Sequence, residues 1–98
     1  MDPERISDYN ISDVVKATAG RDRDELFYVI AVDGEYLTLA NGKDRPLDRP
    51  KRKKCKHVAK VLRSETRVAD KLRLGDKVLN SELRRDLAYL SREMQVTT

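Results

Sequence analysis

The nine residues RPKRKKCKH, positions 49 to 57, hold six permanent cations, a thiol and an imidazole, and no acid. Lysine and arginine at this density do one kind of chemistry well. They hold anions, lysine as a point charge and arginine as a planar fork of donors. Like charges packed at a few ångströms repel one another, so without a partner the run carries an electrostatic cost. A polyanion relieves that cost, and a phosphodiester chain adds the gain of released counterions. Two plainer readings compete: a solvated loop face, or an address of the PKRKK kind used in nuclear import. The address is disfavoured because the run abuts a predicted strand.

The charge distribution sharpens this reading. The chain has 98 residues and a net charge of +4, but residues 1 to 44 carry −5, residues 45 to 63 carry +8 and residues 64 to 98 carry +1. A uniformly basic chain binds anions everywhere, whereas this one has a place to do so. Other chemistries find little support. Cys55 sits among lysines, which favours its thiolate, yet a plain small residue is the simpler reading. His57 either contacts phosphate or is a structural histidine. One Cys and one His cannot make a zinc site, so no metal is expected. Nucleophile–base pairs, glycine-rich phosphate loops and HExxH patterns do not occur, so neither catalysis nor a cofactor nor a small-molecule substrate is expected.

The elements that must carry these cations are short. DVVKATAG (13–20) alternates as a strand does, with Val15 and Ala17 on one side and Lys16 and Thr18 on the other. LFYVIAVD is apolar at nearly every position, as in a strand covered on both faces or sharply bent. Asp33-Gly34 and Asn41-Gly42 flank EYLTLA, and both pairs suit type I′ hairpin turns, which predicts a three-stranded meander. Pro46 and Pro50 demote KDRPLDRP to an edge or frayed strand. KHVAKVL (56–62) offers a last strand of ambiguous facing. Five short strands in about fifty residues are best accommodated by a small, bent barrel that hides its own edges. Beyond it, SETRVADKLRLG predicts a short helix with Ser64 as N-cap and Gly75 as its stop. NSELRRDLAYLSREM places Leu83, Leu87, Leu90 and Met94 at helical spacing behind an Asn80 or Ser81 cap. The expected organisation is a tail over 1–10, a barrel over 11–62 and a helical extension over 63–98. Ile6, Tyr9 and Ile11 give the tail a means of lying against the barrel. The longest apolar run is too short to span a bilayer, and the acidic, polar start does not read as a signal peptide. With a single cysteine, a reducing, cytoplasmic setting is expected.

The order VVKATAGRD, hydrophobic strand, VDGEYLTLANGKDRPLDRPKRKKCKH resembles the KOW-motif proteins, bacterial relatives of eukaryotic-type large-subunit ribosomal proteins. The resemblance covers about residues 11–62, and GDKVLNSELRRDL resembles the helical extension of bacterial members. It implies an SH3-like barrel that binds RNA, ribosomal or otherwise structured, with ribosomal proteins as further partners. The family usually carries a glycine at the position of Asp24, where the backbone is left-handed. Asp tolerates that conformation at some cost, and it makes the loop acidic together with Asp22 and Glu25.

The candidate RNA contacts are therefore Lys51, Arg52, Lys53, Lys54 and Lys56 in the basic run, with His57, Lys16, Arg21 and Arg23 as secondary members. Base-specific recognition needs aromatic platforms. Aromatics are few, and Phe27, Tyr28 and Tyr36 read as packed residues, so backbone and shape recognition by a basic loop is expected. The alternative is a protein-interaction module that uses the basic rim or the C-terminal amphipathic helix. Arg84, Arg85 and Arg92 offer a second cationic patch on that helix.

Overall fold

A computed structural model describes residues 8–96. It contains β1 (Asp13–Ala17), β2 (Leu26–Asp33), β3 (Tyr36–Ala40), β4 (Lys51–Lys54), a 3₁₀ turn at Cys55–His57, β5 (Val58–Arg63), α1 (Arg67–Leu74) and α2 (Asn80–Val96). The five strands form one antiparallel sheet in the order β4-β3-β2-β1-β5. Chain length forces this sheet to curl. Lys54 and Val58 lie on opposite edges of the sheet and are four residues apart, a reach of at most about 14 Å. Laid flat, four inter-strand gaps would separate those edges by about 19 Å. The result is an open, barrel-like sheet with a seam between β4 and β5. β-Bulges between Val29 and Ala31 and between Val14 and Val15 supply local bending.

Alternation along the strands makes two cores. Val15, Ala17, Phe27, Val29, Leu37, Leu39 and Val58 fill the inside of the barrel. Val14, Tyr28 and Ala40 face outward, where Val68 and Ala69 of α1 and Leu83, Leu87 and Leu90 of α2 cover them. β2 is covered on both faces over residues 26–30, which accounts for the first part of its apolar run, and is bulged between Val29 and Ala31, with Ala31 and Val32 exposed. The bulge in the β1–β5 ladder also settles the facing of β5. Val58 points inward opposite Ala17, while Leu62, beyond the bulge, packs against the outer core opposite Val14.

One buried polar network joins the two layers. The Tyr28 hydroxyl is fully buried and donates to Asp86 of α2, and Thr66 Oγ1 donates to the same carboxylate oxygen at 2.8 Å. Ser64 Oγ lies 2.8 Å from the Tyr28 oxygen. Burial, with the Asp86 carboxylate beside it, pushes the Tyr28 phenol up to about 12. Arg73 adds a second tie, donating to Ser12 Oγ at 2.6 Å and to the Ser64 carbonyl at 2.9 Å.

Several local expectations are corrected. KDRPLDRP forms no strand: its two prolines lack amide donors, and Arg49 N instead closes a turn onto the Pro46 carbonyl. The fourth strand is the basic run itself, so the cations expected on a loop stand on an edge strand. Asp33 remains paired with Tyr36, and the tight turn is Gly34-Glu35. Only its first residue has a positive φ, as in a type II′ turn and not the expected type I′. Asn41-Gly42 opens a ten-residue loop, because Asn41 Oδ1 gathers the amides of Lys43 and Arg45 at 2.9 and 3.0 Å. Thr66, not Ser64, caps α1 by accepting from Ala69 N, since Ser64 is taken up by the Tyr28 network. Gly75 stops the helix in the left-handed conformation, as expected. Asn80 Oδ1 is turned to the 41–50 loop, accepting from Leu47 N at 2.8 Å, and Glu82 Oε1 accepts from Leu79 N. Of the expected tail, Ile6 lies outside the described residues. Tyr9 packs against the inner core and donates to the Val58 carbonyl.

Two outcomes test this architecture. Gly42 has φ +77, and a Cβ there would meet the Asn80 carbonyl oxygen at 2.3 Å, where the 41–50 loop seats on the start of α2. Gly42→Ala should cost about 2 kcal/mol in urea unfolding, more than Gly34→Ala, whose Cβ meets nothing within 4 Å. Tyr28→Phe should cost about 1.5–3 kcal/mol at neutral pH. Because folding raises the Tyr28 pKa, its contribution is complete below pH 10 and is lost as pH rises from 10 through about 12. The gap between wild type and Tyr28→Phe should therefore close over that interval.

Candidate nucleic-acid interface

Four successive cations on a strand cannot share a side, because side chains alternate. Lys51 and Lys53 stand opposite Leu39 and Leu37, and so on the inner face. Arg52 and Lys54 stand opposite Thr38 and Tyr36, on the outer face. The strand is an edge: β3 pairs with one side, and no described strand pairs with the other. Both rows of side chains therefore border the same open margin. The β5 edge differs, being overlaid by residues 8–10 through Tyr9 and through Lys60, which donates to the Asp8 carbonyl at 2.7 Å and pairs with Asp13 at 3.2 Å.

The inner pair meets the 18–25 loop across the barrel mouth. Lys51 donates to the Asp22 carboxylate, and Lys53 Nζ donates to the Ala19 carbonyl at 2.9 Å. Arg45, from the 41–50 loop, approaches the same Asp22 oxygen at 3.6 Å. Asp22 is 6% exposed. The hydrogen bond from Lys51, then the charges of Lys51, Arg45 and Lys53, hold its carboxyl below the usual range against the opposing effect of burial. Desolvation first, and then repulsion from Lys51 and Arg45, depress the Lys53 ammonium. One buried carboxylate is answering three cations.

This loop presents Arg21 and Arg23 at the surface, and neither makes an ion pair among the described residues. Asp24 holds φ +73, the left-handed conformation that the sequence comparison raised for this position. Asp22, one of the acids of this loop, is turned inward and paired with Lys51 and Arg45. Asp24, Glu25 and Asp44 remain exposed and line the groove beside α2 together with Lys43, Arg84 and Arg85. Among the described residues, the carboxylates of Asp22, Glu25 and Asp44 are the group close enough to share a cation, within 4.8 Å of one another. The buried member is already occupied by Lys51.

On the outer face, the Arg52 guanidinium lies over the Tyr36 ring at 3.9 Å, and Lys54 Nζ lies 5.7 Å from the same ring. Arg52 also lies 3.8 Å from Asp33, a pair exposed to solvent on both sides. Lys56 projects to solvent from the 3₁₀ turn, and the His57 carbonyl accepts from Thr18 N, so the turn is pinned to the end of β1. Lys16 is exposed on the outer face of β1, opposite Leu26 and Ala59, and stands apart from the β4 margin. The structure therefore gathers Arg21, Arg23, Lys51 and Lys53 at the mouth and Arg52, Lys54 and Lys56 along the outer edge.

Two participants escaped the sequence reading. Arg45 lies inside the basic window but was indistinguishable there from its neighbours. Tyr36 becomes the platform beneath Arg52 only through the β3–β4 register, which no local pattern encodes. The Leu83, Leu87 and Leu90 stripe of α2, by contrast, is buried against the sheet. No helix among the described residues is long and apolar enough to cross a membrane. No protein-family model matches the chain, and none of the curated proteins matches it.

Asp22→Asn should cost about 2 kcal/mol of stability, because Lys51, Lys53 and Arg45 would face one another without their shared anion. A carboxyl whose pKa is lowered by folding stabilises fully above its ordinary value near 3.8 and loses that contribution as pH falls further. Wild type and Asp22→Asn should therefore converge in acid, measured as unfolding midpoints from pH 6 down to about pH 2.

Proposed function

We propose that the protein is a non-catalytic RNA-binding module that grips phosphates along the β4 margin and the adjoining barrel mouth. The observation that carries this reading is an edge strand made wholly of cations whose charge is answered by one buried carboxylate. Phosphate oxygens supply the missing negative charge, and each contact releases counterions from the RNA. Arg52, already stacked on Tyr36, offers its donors to a phosphate without first losing rotamer freedom. The KOW resemblance over residues 11–62 supports the same reading and adds a ribosomal or otherwise structured RNA, in the cytoplasm, as the target. Ribosomal proteins then become neighbouring partners. With Tyr28 buried and Tyr36 beneath Arg52, the margin offers no free platform for a base, which favours recognition of backbone and shape.

Fluorescence anisotropy with a labelled RNA stem-loop tests this reading. If about four phosphates are neutralised, log affinity should fall with log salt at a slope near −3. Arg52, Lys54 and Lys56 bear no part of the core, so Arg52→Gln/Lys54→Gln/Lys56→Gln should fold normally. This triple variant should flatten the slope by about two to three. A flat wild-type profile, or a triple variant that binds like the wild type, overturns the proposal.

A further inference from the structure

The geometry points to a second nucleic-acid contact on the helical layer: the groove between α1 and α2 binds an unpaired nucleotide, its base stacked on Tyr89 and its flanking phosphates held by Arg85 and Arg92. This rests on the RNA-binding reading and names a single-stranded segment as the second part of the ligand. The three residues fall at i, i+4 and i+7, which places them on one stripe of α2. The arginines stand about 6 Å and 4.5 Å along the axis on either side of the tyrosine. They line an open groove of about 410 Å³ whose other walls are Val68, Glu82 and Asp86.

What distinguishes this groove is which of its charges are already engaged. Glu82 is paired with Lys71 at 2.8 Å and bonded to Leu79 N. Asp86 accepts from both Tyr28 and Thr66. Arg85 and Arg92 are exposed and make no hydrogen bond or ion pair among the described residues. Glu82 is answered by Lys71, and Asp86 keeps its charge but is turned to Tyr28 and Thr66, so the groove holds two guanidiniums against one carboxylate without a cationic partner. Tyr89 is 46% exposed, and neither its ring nor its hydroxyl has a partner among the described residues. A planar apolar face between two unengaged forks of donors fits an anion with a flat, stackable group. A nucleotide has both features. A carboxylate peptide has the charge without the plane. Val68, in contact with the outer core, gives the groove an apolar floor.

The test uses the full chain and two probes, a labelled oligouridylate of about ten nucleotides and the stem-loop, with the groove's backbone amides followed by NMR. Tyr89→Leu should weaken oligouridylate binding roughly tenfold, while Tyr89→Phe, which keeps the ring, should bind as the wild type does. Arg85→Gln/Arg92→Gln should lower the salt slope for the oligonucleotide by about one to two. Wild-type affinity in Tyr89→Leu, or amide shifts confined to the β4 margin, would overturn the inference while leaving the margin's role intact. Failure of both probes to bind would remove both readings together. Stem-loop binding weakened mainly by the β4 substitutions, with oligouridylate binding weakened mainly by Tyr89→Leu and Arg85→Gln/Arg92→Gln, is the expected pattern.

Discussion

Like charges set about 3.3 Å apart along a strand repel strongly, and the arrangement of this molecule follows from how β4 survives that repulsion. Alternation halves the problem by sending Lys51 and Lys53 inward and Arg52 and Lys54 outward. Each pair then needs its own answer. The inner pair receives Asp22 and a backbone carbonyl, and the outer pair receives the face of Tyr36. Neither answer completes the balance: one carboxylate serves three cations, and an aromatic face is a weak counter-charge. The strand is stable enough to present its cations and short enough of anions to take on more. An edge strand of lysines also resists pairing with another sheet, which keeps the margin open for a ligand of different geometry.

The rest of the fold keeps that margin in place. The brief link from Lys54 to Val58 makes the sheet curl, and curling brings the 18–25 loop over the inner lysines. Gly42 lets the 41–50 loop press onto the start of α2, carrying Arg45 toward Asp22. Arg84 fastens the same loop by donating to the Gly42 carbonyl at 2.7 Å. The helices are therefore more than a cover for the outer core. Through Tyr28, Asp86 and Thr66 they lock to β2, and through Asn80 and Arg84 they hold the loop that feeds β4. A buried network of this kind is costly if one member is left unpaired, and among the described residues no buried side-chain polar atom lacks a partner.

Elements whose signal lies in their own residues were legible from the chain alone. The three apolar strands, the Leu stripe of α2, the Gly75 stop and the hairpin at Gly34 fall in this class, since periodicity and backbone freedom are local properties. What escaped depends on distant partners. KDRPLDRP reads as the fourth strand because it follows directly on Asn41-Gly42, a hairpin signal, whereas the true strand is selected by pairing with residues 36–39. Ser64 reads as the cap of α1, but Tyr28 claims it and Thr66 caps the helix instead. Asp22 read as one acid among several in a polar loop, and only the curl of the sheet turns it toward Lys51. The clustering of cations over residues 49–57 is legible in the sequence, while their division between two faces requires the register.

If RNA is the ligand, as proposed, that division bears on which RNA would fit. A single row of lysines would track one strand of phosphates. Two rows flanking a thin edge, with Arg21 and Arg23 set back at the mouth, would instead embrace a backbone that passes across the end of the barrel, where groove shape would decide the fit. The cations are also held differently. Lys51 and Lys53 are tied to Asp22 and Ala19, so an approaching phosphate must compete with existing partners and gains most where it meets several at once. Arg52, Lys54 and Lys56 are bound weakly or not at all by acids, and meet phosphate first. In the proposed complex, approach would be governed by the outer edge and final seating by the mouth, an order that would reward a folded RNA with closely spaced phosphates over an extended strand carrying the same charge.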